Sequence, residues 1–596
     1  MPETIHQIVA AHREGSITPA QTIARSFARI RARGDDAVFI SLRAENEAIA
    51  EAEALASRSD AAALPLFGIP VAVKDNIDVA GLPTTAACPA FSYQPAADAT
   101  VVARLRAAGA IVVGKTNLDQ FATGLVGVRS PYGIPKNALR DDLVPGGSSS
   151  GSAVAVGAGL VPLALGTDTA GSGRVPAMLN NIVGLKPSLG MIPATGVVPA
   201  CRSLDCVSIF TLTTDDALAA LAAMAGPDAA DAYSRDRPLG AVAAPNSPRL
   251  GVPRPDQRQF FDDAAAARAY DAAIEQLVRA GAQLVEIDMT PLYECAQLLY
   301  DGPWVAERYF VIRDLLASNP DAVHPVTRAI TLKGEKISAA DTFAAFYRLE
   351  ALRAGAHALF AAVDALVVPT APTTYTVAEV LADPITLNSR LGTYTNFVNL
   401  LDLCGLAVPA ALSDERLPFG ITFLAPAGED AQLAALGRAF HAATGLPLGG
   451  RGQAQPPLPA LAPCAADEIA VAVVGAHLSG MALNHELTTL GARLVGATMT
   501  APRYRLHALP DTTPPKPGML RVGSGGVAIA IEVWSFATEA FGRFVAEVPP
   551  PLSIGTIELA DGATVKGFLV ESSALEGARD ISSFGGWRAF MGAPRP

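Results

Sequence analysis

Charge is scarce in this chain: 17% of its residues are Asp, Glu, Lys or Arg while 50% are hydrophobic, against roughly 25% charge in an average soluble domain. That excludes disorder as its general state, because so much apolar surface has to be buried. Basic residues are in deficit, 45 against 57 acidic, for a net charge of −12; with no excess of cations to attract phosphate backbones or anionic lipid, nucleic acid and membrane surfaces are not expected partners. Cysteine is sparse too. Cys88, Cys201, Cys206, Cys295, Cys404 and Cys464 follow no CxxC spacing and do not make a disulfide framework or a metal site, which fits a reducing, cytoplasmic setting. An apolar leader is missing, since Glu3, His6 and His12 fall where a secretory signal needs a continuous apolar core. The charge-free run Leu143 to Thr167 has the length of a spanning helix, but Gly146 to Ser152 and Pro162 suit a loop instead. Histidine is absent from Arg13 to Val323.

At 596 residues the chain exceeds the roughly 250–300 residues a single core usually supports, so at least two domains are expected. Thr18-Pro19 opens a helix carrying Ile23, Phe27 and Ile30 at helical spacing, and Ala44 to Ser57 reads as a second helix. Short apolar runs at Ile69–Val73, Ala110–Val113, Arg249–Val252, Gln283–Ile287 and Ala365–Pro369 read as buried strands, with helices over Asp262–Ala280 and Asp341–Ala362 between them. Alternating strands and helices imply an α/β layered fold. The Pro/Gly-rich stretch 446–465 reads as a linker, dividing a domain over 1–445 from a β-rich one over 466–596. Strand-like runs in the latter lie at Ile469–Val474, Val527–Val533, Gly555–Leu559 and Val565–Val570.

The densest chemical signal is PGGSSSGSAVAVGAGLVPLALGTDTAGSGRVPA, Pro145 to Ala177. Glycines beside a serine let backbone N–H groups approach a reacting carbonyl, and Thr169, Ala170, Gly171 and Ser172 could offer a row of donors to an oxyanion. A plain Gly/Ser loop would have the same composition; a phosphate loop would need GxxxxGK[ST], which is missing. A serine nucleophile needs a base, and the histidine-free stretch leaves lysine as the alternative. Lys74 ends the run Val71–Val73 and opens the turn Asp75-Asn76. Neutral Lys74 among uncharged neighbours would serve as a base, whereas a salt bridge to Asp75 would make it structural.

GIPVAVKDNIDVAGLPTT (Gly68 to Thr85), GGSSSG and GTDTAGSGRVP, with Ser148 and Ser172 separated by 24 positions, resemble the lysine and serine segments of the amidase-signature family over roughly residues 1 to 445. The resemblance implies a mixed central sheet covered by helices, Ser172 as nucleophile, Ser148 as relaying serine in a cis peptide, Lys74 as base, an oxyanion hole at Thr169, Ala170 and Gly171, and no metal or organic cofactor. VGAHLSGMALNHELTTLGARLVGATMTAPRYRLHALP (Val474 to Pro510) and FGGWRAF (Phe584 to Phe590) resemble the γ-glutamylcyclotransferase-like domain that follows the amidase domain in allophanate hydrolases. That narrows the implied substrate to a small anionic amide, allophanate, met in urea or cyanurate breakdown. In LLYDGPWVAERY, Leu298 to Tyr309, Tyr300 and Arg308 match the family's substrate-binding pair, with Gly124 beside them, and Gly302-Pro303 stands where a helix would break. In the C-terminal part His477, His485, Arg503, Arg505 and Lys566 are candidates for a cationic pocket. A homodimer is expected. Other amide hydrolases (a malonamide-like substrate, a transamidase subunit) and a non-catalytic scaffold are the competing readings.

Overall fold

Thr18 accepts the Gln21 backbone N–H while Gln21 reaches back to the Thr18 N–H, and this capping box starts the helix Pro19–Arg33. Its Ile23 and Phe27 are buried with Ala48 and Ala52 of the helix Glu45–Ala56. The structure is a computed structural model that describes residues 3–592 except 238, 240, 241, 243, 246 and 459–467. Its residues form two compact units, Met1–Leu239 with Pro248–Pro457, and Gly240–Ser247 with Leu458–Pro596.

The first unit is built on an eleven-stranded mixed sheet in the order β1-β3-β2-β4-β6-β5-β10-β11-β9-β7-β8. The strands are β1 (Phe39–Leu42), β2 (Pro70–Lys74), β3 (Ile111–Thr116), β4 (Leu163–Asp168), β5 (Val183–Lys186), β6 (Cys206–Thr211), β7 (Arg249–Pro253), β8 (Gln283–Ile287), β9 (Ala365–Pro369), β10 (Leu403–Leu412) and β11 (Pro418–Pro426). Every residue of β2, β3 and β4 is buried, as parallel strands under helices must be. β2 runs parallel to both neighbours, with Lys74 opposite Thr116 and Val73 opposite Leu165. This register delivers Lys74 and Asp168 to the carboxyl ends of β2 and β4.

The run Leu143 to Thr167 resolves into a loop, the short helix Ser150–Gly157 and most of β4. Among the described residues no helix is long and apolar enough to cross a membrane. The expected helices at 262–280 and 341–362 are Ala264–Arg279 and Ala339–Ala362. The stretch expected as a linker is, at its start, attached to the first unit: Asn181 Nδ2 donates to Pro447 O (2.8 Å) and Gly449 O (3.1 Å), and Gly450 N donates to Gly157 O (2.7 Å). These backbone groups are satisfied by the domain rather than by water. Residues 459–465 of that stretch, with Cys464, lie outside the described residues.

The second unit holds β12 (Glu468–Val473), β13 (Arg493–Met499), β14 (Tyr504–Ala508), β15 (Pro517–Arg521), β16 (Ala530–Ala537), β17 (Leu552–Glu558), β18 (Thr564–Val570) and β19 (Arg579–Asp580). Five form a sheet in the order β13-β16-β12-β18-β17 and three form another, β15-β14-β19. The strand expected at Val527–Val533 begins later, because Val527 is held in an isolated bridge to Tyr504 while Trp534 and Phe536 pair with β12 and fill the core with Phe544 and Phe568.

Candidate active site

Lys74, the last residue of β2, is wholly buried. Its Nζ lies 2.8 Å from Ser148 Oγ, 3.0 Å from Ser149 Oγ and 2.8 Å from Thr167 Oγ1. Asp75 does not pair with it. That carboxylate is 3.2 Å from Lys115 Nζ and accepts the Thr85 N–H at 3.0 Å. Burial, opposed by the more distant charges of Asp119, Asp205 and Asp168, pushes the Lys74 ammonium down to about 7. Ser149 has its own acceptor, donating to Thr167 O at 3.2 Å.

The Gly147–Ser148 peptide is cis, and the Asp119 N–H donates to Ser148 O at 3.0 Å. A side chain at Gly147 would sit 2.0 Å from Asp119 Oδ2 and 2.6 Å from Gly127 N, so only glycine fits there.

After β4, Asp168 organises the second serine loop. Its carboxylate accepts from Gly171 N (2.8 Å) and Gly173 N (2.9 Å), and it forms a two-point pair with Arg174, Nε to Oδ2 and Nη2 to Oδ1 both at 3.0 Å. Burial alone would raise Asp168, but the Arg174 charge and hydrogen bonds outweigh it and hold the acid below its usual range. Gly171 therefore differs from the expectation: its N–H is already donated to Asp168. Among the described residues the backbone N–H groups of Thr169, Ala170 and Ser172 have no hydrogen-bond partner, nor does the Ser172 hydroxyl. What Gly171 contributes is conformation, with φ +125° and a Cβ position only 2.5 Å from Thr395 Oγ1.

Gly302-Pro303 does break the helix. Tyr300 ends one segment, Thr290–Asp301, and Arg308 lies in the next, Trp304–Ser318. The break lets the Arg308 guanidinium sit over the Tyr300 ring, 5.7 Å from its centroid. Arg308 is 4% exposed and donates from Nη1 to Thr123 Oγ1 (3.0 Å) and Ala122 O (3.4 Å). Gly124 follows directly, at φ +156°. Arg308 makes no ion pair among the described residues, and its Nε is buried without a partner. Asp205, lifted by burial to about 6, feels the Arg308 charge and accepts from Thr169 Oγ1. Two acidic side chains were not apparent in the sequence, Asp119 and Asp205; neither stands in a motif that marks it. Among the described residues no cluster of three or more His, Cys, Asp or Glu could hold a metal.

The amidase family pattern matches residues 22–434, and the allophanate hydrolase C-terminal domain matches residues 469–592. The chain belongs to the amidase family. The urea amidolyase of Lachancea kluyveri is 44% identical over 577 residues, 94% of this chain and 31% of that protein. The solved structure of Kluyveromyces lactis allophanate hydrolase has a TM-score of 0.80 at 41% identity, covering 99% of this chain and 98% of that one. The 2-amino-5-chloromuconic acid deaminase of Comamonas testosteroni is 35% identical over 393 residues, 64% of this chain and 82% of that protein. The chain spans about a third of the length of the curated urea amidolyases it matches.

Beyond the amidase domain, the residues expected to form a cationic pocket each have a partner of their own. His477 Nε2 is 2.8 Å from Glu486 Oε2 and its ring stacks on Phe568, a core position where burial lowers its affinity for a proton. His485 is exposed beside Ala482 O, Arg503 Nη1 pairs with Glu558 at 3.1 Å, Arg505 with Asp580 at 3.3 Å, and Lys566 reaches Thr556 Oγ1 at 3.5 Å. Among the described residues the buried acid of this domain is Glu532, which accepts from Ser479 N (2.8 Å), Ser479 Oγ (2.9 Å) and Arg588 Nη2 (2.8 Å). It lines a cleft of about 510 Å³ with Met499 and Trp587.

Proposed function

We propose that this amidase-family protein hydrolyses allophanate, the N-carboxylated urea anion, through an acyl-enzyme on Ser172. One observation carries the reading. Arg308 is a buried guanidinium without an ion pair among the described residues, close enough to Lys74 and Asp205 for its charge to act on both. A buried cation left unpaired is costly, and a bound carboxylate would complete it. Arginine's planar fork suits that carboxylate, and Tyr300 and Gly124 border the same place.

In the proposed step, neutral Lys74 accepts the Ser148 proton while Ser148 accepts that of Ser172. Ser172 Oγ then bonds to the terminal amide carbon, with the resulting oxyanion held by the N–H groups of Thr169, Ala170 and Ser172. The relay returns the proton to the amide nitrogen, the C–N bond breaks and ammonia leaves. Water adds to the acyl-enzyme by the same relay and frees a carboxylated carbamate, whose two C–N bonds then break, with protons taken up by nitrogen, to give two molecules of carbon dioxide and the second ammonia. No step draws on a metal or organic cofactor. The 41% identity to an allophanate hydrolase along nearly the whole of both chains supports this choice of amide.

The test is ammonia release from allophanate, malonamide, acetamide and glutamine by the wild type and Ser172→Ala. Allophanate should be preferred and the variant inactive; strong activity on another amide with none on allophanate overturns the substrate. A cytoplasmic enzyme is part of the proposal, supported by five described cysteines that are all unpaired. So is a homodimer, supported by Phe310, Phe343 and Tyr347, each more than half exposed; a light-scattering mass equal to the 61.4 kDa monomer would remove it.

A further inference from the structure

Asp119, just past β3, touches both halves of the site. It is fully buried, yet no cation pairs with it among the described residues; its carboxylate is solvated by backbone instead. Oδ1 accepts from Arg129 N (3.0 Å), and Oδ2 accepts from Gly127 N (2.9 Å) and Val126 N (3.3 Å). On one side lies the Ser148 loop. Asp119 donates its own N–H to Ser148 O at 3.0 Å, and the bare Cα of Gly147 is required because a Cβ would lie 2.0 Å from Oδ2.

On the other side lies the loop that seats Arg308. A Cβ at Gly124 would come within 2.5 Å of the same Oδ2. Thr123, its neighbour, accepts from Arg308 Nη1 through Oγ1 at 3.0 Å and from Arg129 Nη1 through its carbonyl at 2.9 Å. One carboxylate oxygen is thus pressed against two glycines, one in the loop that carries Ser148 and one in the loop that anchors Arg308.

We propose that Asp119 is a positioning residue that fixes the Ser148 loop and the Arg308 subsite in a single geometry. This rests on the hydrolytic reading above. The charged groups that act on Lys74 are Asp119, Asp205, Asp168 and Arg308, and Asp119 gives the largest of the charge effects. A negative charge favours protonated Lys74, so removing it makes the neutral base easier to form. An amide in place of the carboxylate leaves one acceptor oxygen for three N–H groups and turns an NH2 toward the rest, which relaxes the loops; displacement of reacting groups by about 1 Å can cost roughly a hundredfold in rate.

The experiment compares the full-length wild type with Asp119→Asn across pH. The expected result is a kcat lower by roughly tenfold to a hundredfold, a raised KM, and an acid limb moved to lower pH by roughly half a unit. Thr123→Val removes the Oγ1 contact to Arg308, together with the bond from Oγ1 to Phe121 O (3.2 Å), and should raise KM without moving the limb. Asp119→Glu keeps the charge and should keep the wild-type limb at low kcat; it also serves if the amide variant fails a thermal-melt check of folding. An Asp119→Asn enzyme with unchanged KM and an unmoved limb overturns the proposal. The pH dependence of Ser172 labelling by a fluorophosphonate reads the same limb without any amide. An enzyme that labels normally but ignores allophanate therefore counts against the substrate and not against Asp119.

Discussion

Lys74 Nζ lies 2.8 Å from Ser148 Oγ, and no carboxylate hydrogen-bonds to the amine among the described residues. Burial pushes this lysine down to about 7, so it is neutral above that pH and protonated below. If it is the base, kcat rises through an acid limb centred near pH 7 and levels off above. A limb near 4 to 5, where carboxylates ordinarily titrate, would point to a different base. Lys74→Arg, which stays charged, should lose roughly 10³-fold or more at every pH.

The same burial should be visible in stability. The Lys74 proton affinity is lowered on folding, from 10.5 to about 7, so between these values the unfolded chain holds a proton that the native one lacks. Stability contributed by this group therefore increases as pH rises from about 7 to 10.5. Below pH 7 a native Lys74 must be charged in a buried place, at a cost on the order of 4 kcal/mol. Lys74→Met removes that dependence. The free energy of unfolding of the Met variant relative to wild type, from urea titrations, should be highest at pH 6 and fall by several kcal/mol by pH 9.5. A difference independent of pH would mean that the lysine does not change its proton affinity on folding.

Much of this geometry could be anticipated from residue order. The β2 run of Val71, Ala72 and Val73 has no other use than a buried strand, and Lys74 at its end could only point into a site or toward a counter-ion. Choosing between these took coordinates, because Asp75 adjoins Lys74 in sequence but turns to Lys115 in space. Ser149 and Thr167 were invisible as partners of Lys74 for a related reason: hydroxyls 75 and 93 positions away carry no signature until β2 and β4 are placed side by side. β10 and β11 were missed because LCGLAVPAAL and PFGITFLAP are buried strands with Gly, Ala and Pro in place of β-branched alternation. In the C-terminal domain, the basic residues that the resemblance suggested as a pocket are taken up by their own neighbours, as Arg503 is by Glu558, while Glu532 became informative only once the Ser479 loop was seen to donate to it.

The Asp168–Arg174 pair yields a third prediction. Both side chains are fully buried, and Arg174 also reaches Asn399 Oδ1 at 3.3 Å. Arg174→Leu leaves a buried carboxylate uncompensated, which costs roughly 3–5 kcal/mol. Because Asp168 holds the N–H groups of Gly171 and Gly173, kcat should fall as well. Arg174→Lys should restore little, since a single ammonium cannot make two parallel bonds. Urea midpoints and kcat on the three proteins check this; full recovery by lysine would show that charge alone suffices.

Arg308 separates binding from chemistry. It is tied to Thr123 and Ala122 through Nη1 alone, which leaves Nη2 for a substrate carboxylate, while its stacking on Tyr300 fixes the plane of the fork. Arg308→Ala should raise KM for allophanate roughly a hundredfold or more, the scale expected when a buried charge-assisted contact is removed. Arg308→Lys should recover only part of this, because the fork geometry is lost. A neutral amide lacks the carboxylate, so whatever slow turnover the wild type shows on malonamide should change far less in either variant. Steady-state kinetics on both substrates decides the matter: an equal loss on the charged and the neutral amide would mean that Arg308 supports the fold of the site, whereas a loss confined to allophanate assigns the guanidinium to its carboxylate.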